Sequence, residues 1–188
     1  MSLEARMVAI LRATPTLMRV LATARDLDLP DWLVFSGAIY QPVLNHLTGR
    51  GLEHGLKDYD LAYFDASDIS YEAEDGVIRK VAAAFDAPLQ ALIEVRNQAR
   101  VHLWFEDHFG EPYGPLSCSA EALSRFTAPA FAVGARLATD GQIEIVAPFG
   151  LEDLFALRLR PNPHRPSPAF DRTAQSAQRR WPEIAIEA

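Results

Sequence analysis

The run Leu61-Ala62-Tyr63-Phe64 constrains this chain most. It is continuous apolar sequence, with Asp58 and Asp60 just before it and Asp65 just after. Such a run reads as a strand buried on both faces, so helices must cover both sides of its sheet. The rest of the chain supplies them. Leu3, Met7, Ile10 and Leu11, then Leu17, Val20, Leu21 and Ala24, recur at helical spacing over residues 2–25. Thr14-Pro15 divides that stretch into two helices, because a residue before proline avoids the α region. Trp32 to Phe35 is a short apolar run that leads through Ser36-Gly37 into a helix ending near Leu47. Pro42 sits early in that helix, where a missing N–H costs little.

Further along, residues 68–75 read as an acidic loop and 76–85 as a helix. Residues 89–95 read as a strand, and Asn97 as the cap of a helix reaching Phe109. After a loop over 110–118 comes a short helix over 120–126. Residues 131–138 and 142–146 alternate around Asp140-Gly141, a hairpin signal. Residues 151–159 read as a helix, 161–168 carry four prolines and must be extended, and 171–180 form a last basic helix. Strands interleaved with helices give an α/β (α+β) class, a mixed β-sheet flanked by helices. The expected organisation is one structural domain: helices over 1–30 packed on a core over 31–160, then a proline-rich segment and helix over 161–188. A chain of 188 residues with 49% apolar content can bury such a core.

Charge and cysteine content exclude several functions. Lys+Arg is 18 and Asp+Glu is 25, a net charge of -7, so general DNA binding is not expected. Cys118 is the single cysteine, which rules out a disulfide framework and a Cys-rich zinc site. No apolar run approaches membrane-spanning length, and Met1-Ser2-Leu3-Glu4 lacks a secretory pattern. The expectation is a soluble, cytoplasmic protein without a membrane partner.

The segment from Trp32 to Asp65 carries the chemistry. Asp58 and Asp60 are two apart on a strand, so both project from one face, within roughly 7 Å of each other. That gap suits one divalent cation, which removes their mutual repulsion. The alternative is a polar strand end satisfied by backbone N–H groups, and the spacing alone leaves both open. Asp26-Leu27-Asp28 and Glu72-Ala73-Glu74 share the spacing but adjoin neither strand nor glycine turn, so they read as solvated. Upstream, Gly37 lets the backbone approach a ligand closely, and the helix after it offers N–H groups to a phosphate.

Three blocks carry a resemblance. Phe35-Ser36-Gly37-Ala38-Ile39, Leu47-Thr48-Gly49-Arg50 and Asp58-Tyr59-Asp60-Leu61 look like the start of the polymerase-β-like nucleotidyltransferase superfamily. They are similar to the G-G-A-V-R-D, L-L-G-R and D-x-D pattern of tRNA-nucleotidyltransferases. Nearly all of Trp32 to Trp181 resembles a little-characterised bacterial family of nucleotidyltransferases. Its further blocks are Val95-Arg96-Asn97-Gln98-Ala99-Arg100-Val101-His102 and Ala147-Pro148-Phe149-Gly150-Leu151-Glu152-Asp153-Leu154-Phe155.

The resemblance implies a fold with the glycine turn and the D-x-D strand side by side, 31–160 being the nucleotidyltransferase core. It implies transfer of a nucleoside monophosphate from a nucleoside triphosphate (NTP), with Mg²⁺ as cofactor, or Mn²⁺ in its place. Asp58 and Asp60 would hold metal, and Ser36, Gly37 and Ala38 would border the triphosphate. Glu94 is the candidate third carboxylate, catalytic and metal-binding with the two aspartates; its alternative is a salt bridge with Arg96 or Arg100. Asp65 lies about 16 Å from Asp60 at normal strand rise, too far to substitute.

The departures limit the carry-over. Ala38 follows the glycine, and Tyr40-Gln41 stands where the tRNA enzymes have Arg-Asp. The acceptor of those enzymes is therefore not transferred to this chain.

Among the other polar residues, Arg96 and Arg100 are candidates to grip phosphate, and Asn97 or Gln98 to hydrogen-bond a base or cap the helix, with capping favoured for Asn97. His102 lacks a second histidine at ligand spacing and reads as structural. Glu152 and Asp153 suit a helix start. Arg158, Arg160, Arg165, Arg172, Arg179 and Arg180 make the C-terminal third basic and hint at an anionic ligand, although Arg179 and Arg180 read as solvated. Cys118 has no base beside it and does not read as a nucleophile.

The leading reading is an Mg²⁺-dependent nucleotidyltransferase acting on an unknown acceptor hydroxyl: a small molecule, a protein or an RNA end. The alternative is a catalytically inactive nucleotide-binding or partner-binding (regulatory) domain with the same fold. A small antitoxin-like partner is a third.

Overall fold

The computed structural model describes residues 1–187; Ala188, the last residue of the 161–188 segment, lies outside the described residues. The chain opens with α1 (Leu3–Arg12) and α2 (Pro15–Leu27), bent by 94° at Thr14-Pro15. Next come β1 (Leu33–Phe35), α3 (Gly37–Leu47), β2 (Tyr59–Tyr63), α4 (Tyr71–Ala82) and α5 (Ala87–Gln90). Then β3 (Ile93–Asn97) runs into a 3-10 turn (Gln98–Leu103), followed by α6 (Phe105–Phe109) and α7 (Ser119–Ser124). After a second 3-10 turn at Pro129–Phe131 come β4 (Gly134–Leu137), β5 (Ile143–Val146) and α8 (Glu152–Phe155). The chain closes with β6 (Arg158–Leu159), α9 (Ala169–Arg180) and β7 (Ala185–Ile186).

The main sheet has the order β3-β2-β1-β4-β5 and is mixed: β2 and β3 run parallel, the other pairs antiparallel. Side chains alternate across it. Val34, Tyr59, Leu61, Tyr63 and Val95 point into a core shared with Met7, Leu17, Leu21, Ile39 and Val81 of the helices. Phe35, Asp60 and Glu94, aligned by register, belong to the opposite face. Among the described residues no single helix is long and apolar enough to cross a membrane.

Several boundaries differ from the sequence reading. The 68–75 loop is already helix from Tyr71, because the Ser70 hydroxyl accepts from Ala73 N at 3.2 Å and caps it. The strand expected over 89–95 begins at Ile93, since Pro88 sits in the first turn of α5. Asn97 does cap the next element, its side chain accepting from Ala99 N at 3.1 Å. That element is a 3-10 turn, broken from α6 at Trp104. The 151–159 helix stops at Phe155; Leu157 has φ 52°, and Arg158-Leu159 pair with β7. Pro42 is not in the first turn of α3 but inside it, where it removes the bond to the Ala38 carbonyl.

One buried amide pins the C-terminal segment. Asn45 donates to the carbonyls of Leu52 and His54 at 3.0 and 2.8 Å and accepts from Trp181 Nε1 at 2.8 Å. Trp181 is fully buried, and the end of α9 is held against the last turn of α3.

Candidate functional site

The turn from β1 into α3 has an unusual backbone. Ser36 adopts φ 64°, ψ -142°, a strained conformation for a residue with a side chain. Such strain persists only where the surroundings over-determine it. Gly37 follows, with no room for a side chain: a Cβ there would lie 2.5 Å from Gln41 Nε2. Gln41 is buried but borders the polar cavity, so its amide can shift only by leaving its place in that wall. Gly37→Ala is therefore expected to lower stability by about 1 kcal/mol, readable in urea unfolding, and to swing Gln41 out of place. An unchanged midpoint would show the turn to be roomier than this.

The acidic residues meet beside this turn. Asp60 pairs in register with Phe35 on one side and Glu94 on the other. Its carboxyl is pushed up from 3.8 to about 6, first by burial, then by the charge of Asp58, with a smaller push from Glu94. A hydrogen bond from the Ser36 side chain and the charge of Arg96 oppose the rise. Glu94 is exposed and forms no ion pair among the described residues, so the alternative of a salt bridge to Arg96 or Arg100 is not what the structure has. Among the described residues, no three Asp, Glu, His or Cys side chains converge closely enough to enclose a metal ion as they stand.

Two cavities flank Ser36 and Tyr40, which line both. The polar one, about 300 Å³, is bounded by Gly37, Gln41, Lys57, Asp58 and Arg180. Two buried polar atoms in its walls, Gln41 Oε1 and Arg180 Nε, have no protein partner. Unpaired buried groups of this kind are costly and rare. The Arg180 guanidinium stacks on Trp181 at 4.4 Å. Burial pushes the Tyr40 hydroxyl up; the charge of Arg180 and its hydrogen bond pull it down. The second cavity, about 360 Å³, has a largely apolar lining rich in aromatic rings, with Arg96, Gln98, Arg125 and Arg165 among its polar residues.

The other expected residues are placed differently. Ala38 is fully buried, so only its backbone faces the turn. Arg100 does not reach the cavities: its guanidinium is paired with Glu74, and its Nε donates to the Ile69 carbonyl at 3.2 Å. Glu74, read as solvated, is buried because β3 needs it; its Oε1 accepts from Asn97 N at 2.8 Å. Asp153 does not cap α8 but is buried between Arg158 and Arg160, each with Nε at 2.7 Å. Arg165 pairs with Glu111 at 2.9 Å. Half of the six C-terminal arginines are thus paired internally. Arg172 and Arg179 are exposed, and Arg180, read as solvated, instead lines the polar cavity.

Lys57, Tyr40, Gln41 and Arg180 were not legible as site residues. Lys57 had one signal, adjacency to Asp58. Arg180 shares in the basic C-terminal third but reads as solvated, because its position depends on the Asn45–Trp181 bond.

A family model described as nucleotidyltransferase matches residues 22–186. No curated protein matches the chain. A solved NMR structure, described as revealing a CCA-adding enzyme head domain, is similar over 96% of this chain and 94% of its own. It is 26% identical, with a TM-score of 0.76.

Proposed function

The chain belongs to the nucleotidyltransferase family, and from that premise we propose that it transfers a nucleoside monophosphate from an NTP to an acceptor hydroxyl. The observation that carries this is the juxtaposition at one turn: an under-neutralised acidic cluster, and a cavity beginning at Asp58 in whose walls Arg180 Nε and Gln41 Oε1 have no partner among the described residues. The polar cavity suits the β- and γ-phosphates. Lys57 and Arg180 supply positive charge, and the start of α3 supplies backbone N–H groups.

Asp58, Asp60 and Glu94 are oxygen donors of the kind Mg²⁺ takes, one or two carboxylates sufficing when phosphate and water complete the shell. The raised pKa of Asp60 fits a site whose charge is balanced only when a cation is present. When bound, Mg²⁺ would offset charge on the polyphosphate. The acceptor oxygen forms a bond to the α-phosphorus, the bond from that phosphorus to the bridging oxygen breaks, and pyrophosphate leaves. The hydroxyl proton passes to the carboxylate of Glu94, which is exposed and forms no ion pair among the described residues, Asp58 and Asp60 then sufficing to hold the cation. NTP and Mg²⁺ as reactants favour the cytoplasm as the place of action.

The test is direct. Mg²⁺ with an NTP is expected to raise the melting temperature, by about 2.7 kcal/mol of stability at 100 times Kd. Arg180→Gln is expected to weaken binding of inorganic tripolyphosphate about tenfold. Pyrophosphate release with small-molecule, protein or RNA acceptors then marks turnover. A second reading, binding without turnover, is favoured by the departures at the glycine turn, where Ala38 follows Gly37 and Tyr40-Gln41 stands in place of Arg-Asp. It predicts a thermal shift with no pyrophosphate from any acceptor.

A further inference from the structure

We propose that the aromatic cavity receives the nucleobase of the donor nucleotide, with Gln98 facing its edge; this rests on the transfer reading above. The two cavities share Ser36 and Tyr40 as a common wall. One is polar and cationic, the other aromatic. An NTP divides in the same way, a polyanion at one end and a flat uncharged ring at the other.

Helix α9 runs beside both. Thr173 lines the aromatic cavity, and Ser176 and Arg180 line the polar one. Spacings of three and four keep these residues on one face, along about 10 Å of helix.

The aromatic cavity suits a ring. Tyr40 stacks on Phe131 with centroids 4.1 Å apart, and Phe35 meets Phe126 edge-on at 5.6 Å. Its volume of about 360 Å³ is in the range of small-ligand pockets. Two of its three arginines are already committed: Arg125 pairs with Glu121 at 3.0 Å and Arg165 with Glu111 at 2.9 Å. Arg96 alone of the three forms no ion pair among the described residues, which leaves a single free cation for a second polyanion such as an RNA end. Gln98 is 4% exposed. Its Nε2 makes one long bond, 3.3 Å, to the Arg96 carbonyl, and nothing among the described residues donates to its Oε1. A side-chain amide held this way can pair with a base edge.

The experiment compares the four NTPs with inorganic tripolyphosphate, each with Mg²⁺, by calorimetric titration of the full chain. NTPs are expected to bind at least about tenfold more tightly than tripolyphosphate, because the ring adds stacking. Thr173→Trp, which fills the cavity, should remove that advantage and leave tripolyphosphate binding unchanged. Gln98→Leu should keep tight NTP binding but compress the differences among the four bases to about twofold or less.

Equal affinity of the wild type for NTP and tripolyphosphate overturns the proposal. So does NTP binding untouched by Thr173→Trp while transfer falls, which would assign the cavity to the acceptor. If Thr173→Trp also loses tripolyphosphate it has disturbed the fold, and Gln98→Leu decides: base preferences unchanged from the wild type overturn the proposal. Failure of the wild type to bind either ligand would instead sink the transfer reading beneath it.

Discussion

Asp60→Asn is expected to make the protein more stable at pH 8 while removing its activity. In the unfolded chain Asp60 titrates at its ordinary 3.8, and in the folded chain at about 6. Between those values the folded state binds more protons, so the carboxylate's contribution to stability falls as pH rises from about 4 to about 6. Above that the penalty is complete. The asparagine variant never incurs it. Its advantage over the wild type, with no divalent cation added, should be about 1–2 kcal/mol at pH 8, after discounting for solvent at this half-buried side chain. It should shrink at pH 5. Thermal unfolding at the two pH values measures it.

Mg²⁺ should raise the melting temperature of the wild type and leave the variant's nearly unchanged. Transfer should fall by about 10²–10³-fold, the scale for removing a main electrostatic group from a site. A variant less stable than the wild type at pH 8 would show that the acidic cluster is not under strain.

Glu74→Ala should have the largest effect on stability. Glu74 is 6% and Arg100 13% exposed in their side chains, and they form a buried ion pair. The same carboxylate accepts the Asn97 N–H at 2.8 Å, joining α4 to the end of β3. Asn97 in turn clasps Asp65 through both backbone groups, at 3.0 and 2.8 Å. Alanine leaves a largely buried guanidinium without its counter-charge, with only the Ile69 carbonyl still bonded to it, and a buried N–H without a partner. The expected cost is about 3–5 kcal/mol, seen as a fall in the urea midpoint. Glu74→Gln keeps an acceptor for Asn97 and should cost less. A loss below about 1 kcal/mol for alanine would mean that water replaces the carboxylate easily.

By its spacing Glu72-Ala73-Glu74 reads as a solvated acidic run. Helix periodicity starting from Ser70 turns Glu74 toward the sheet, whereas a helix starting at Gly76 does not contain it. Arg100 looked free to grip phosphate because its partner is distant in sequence. Asn97, by contrast, was legible as a cap, since capping is a local contact between near neighbours.

What the sequence determined by itself was local: the strand of Leu61 to Tyr63, the glycine turn after Phe35, and the hairpin around Asp140-Gly141; Asp58, expected on the strand with Asp60, lies just before it. Periodicity and turn chemistry act over a few residues, so they can be read from a few residues. The tertiary structure alone decided which charges survive unpaired. Parallel register sets Glu94 beside Asp60, internal ion pairs absorb Arg100, Arg158, Arg160 and Arg165, and a buried amide fixes the segment that carries Arg180. These contacts join residues far apart in the chain, and their energies depend on burial, which no local pattern encodes.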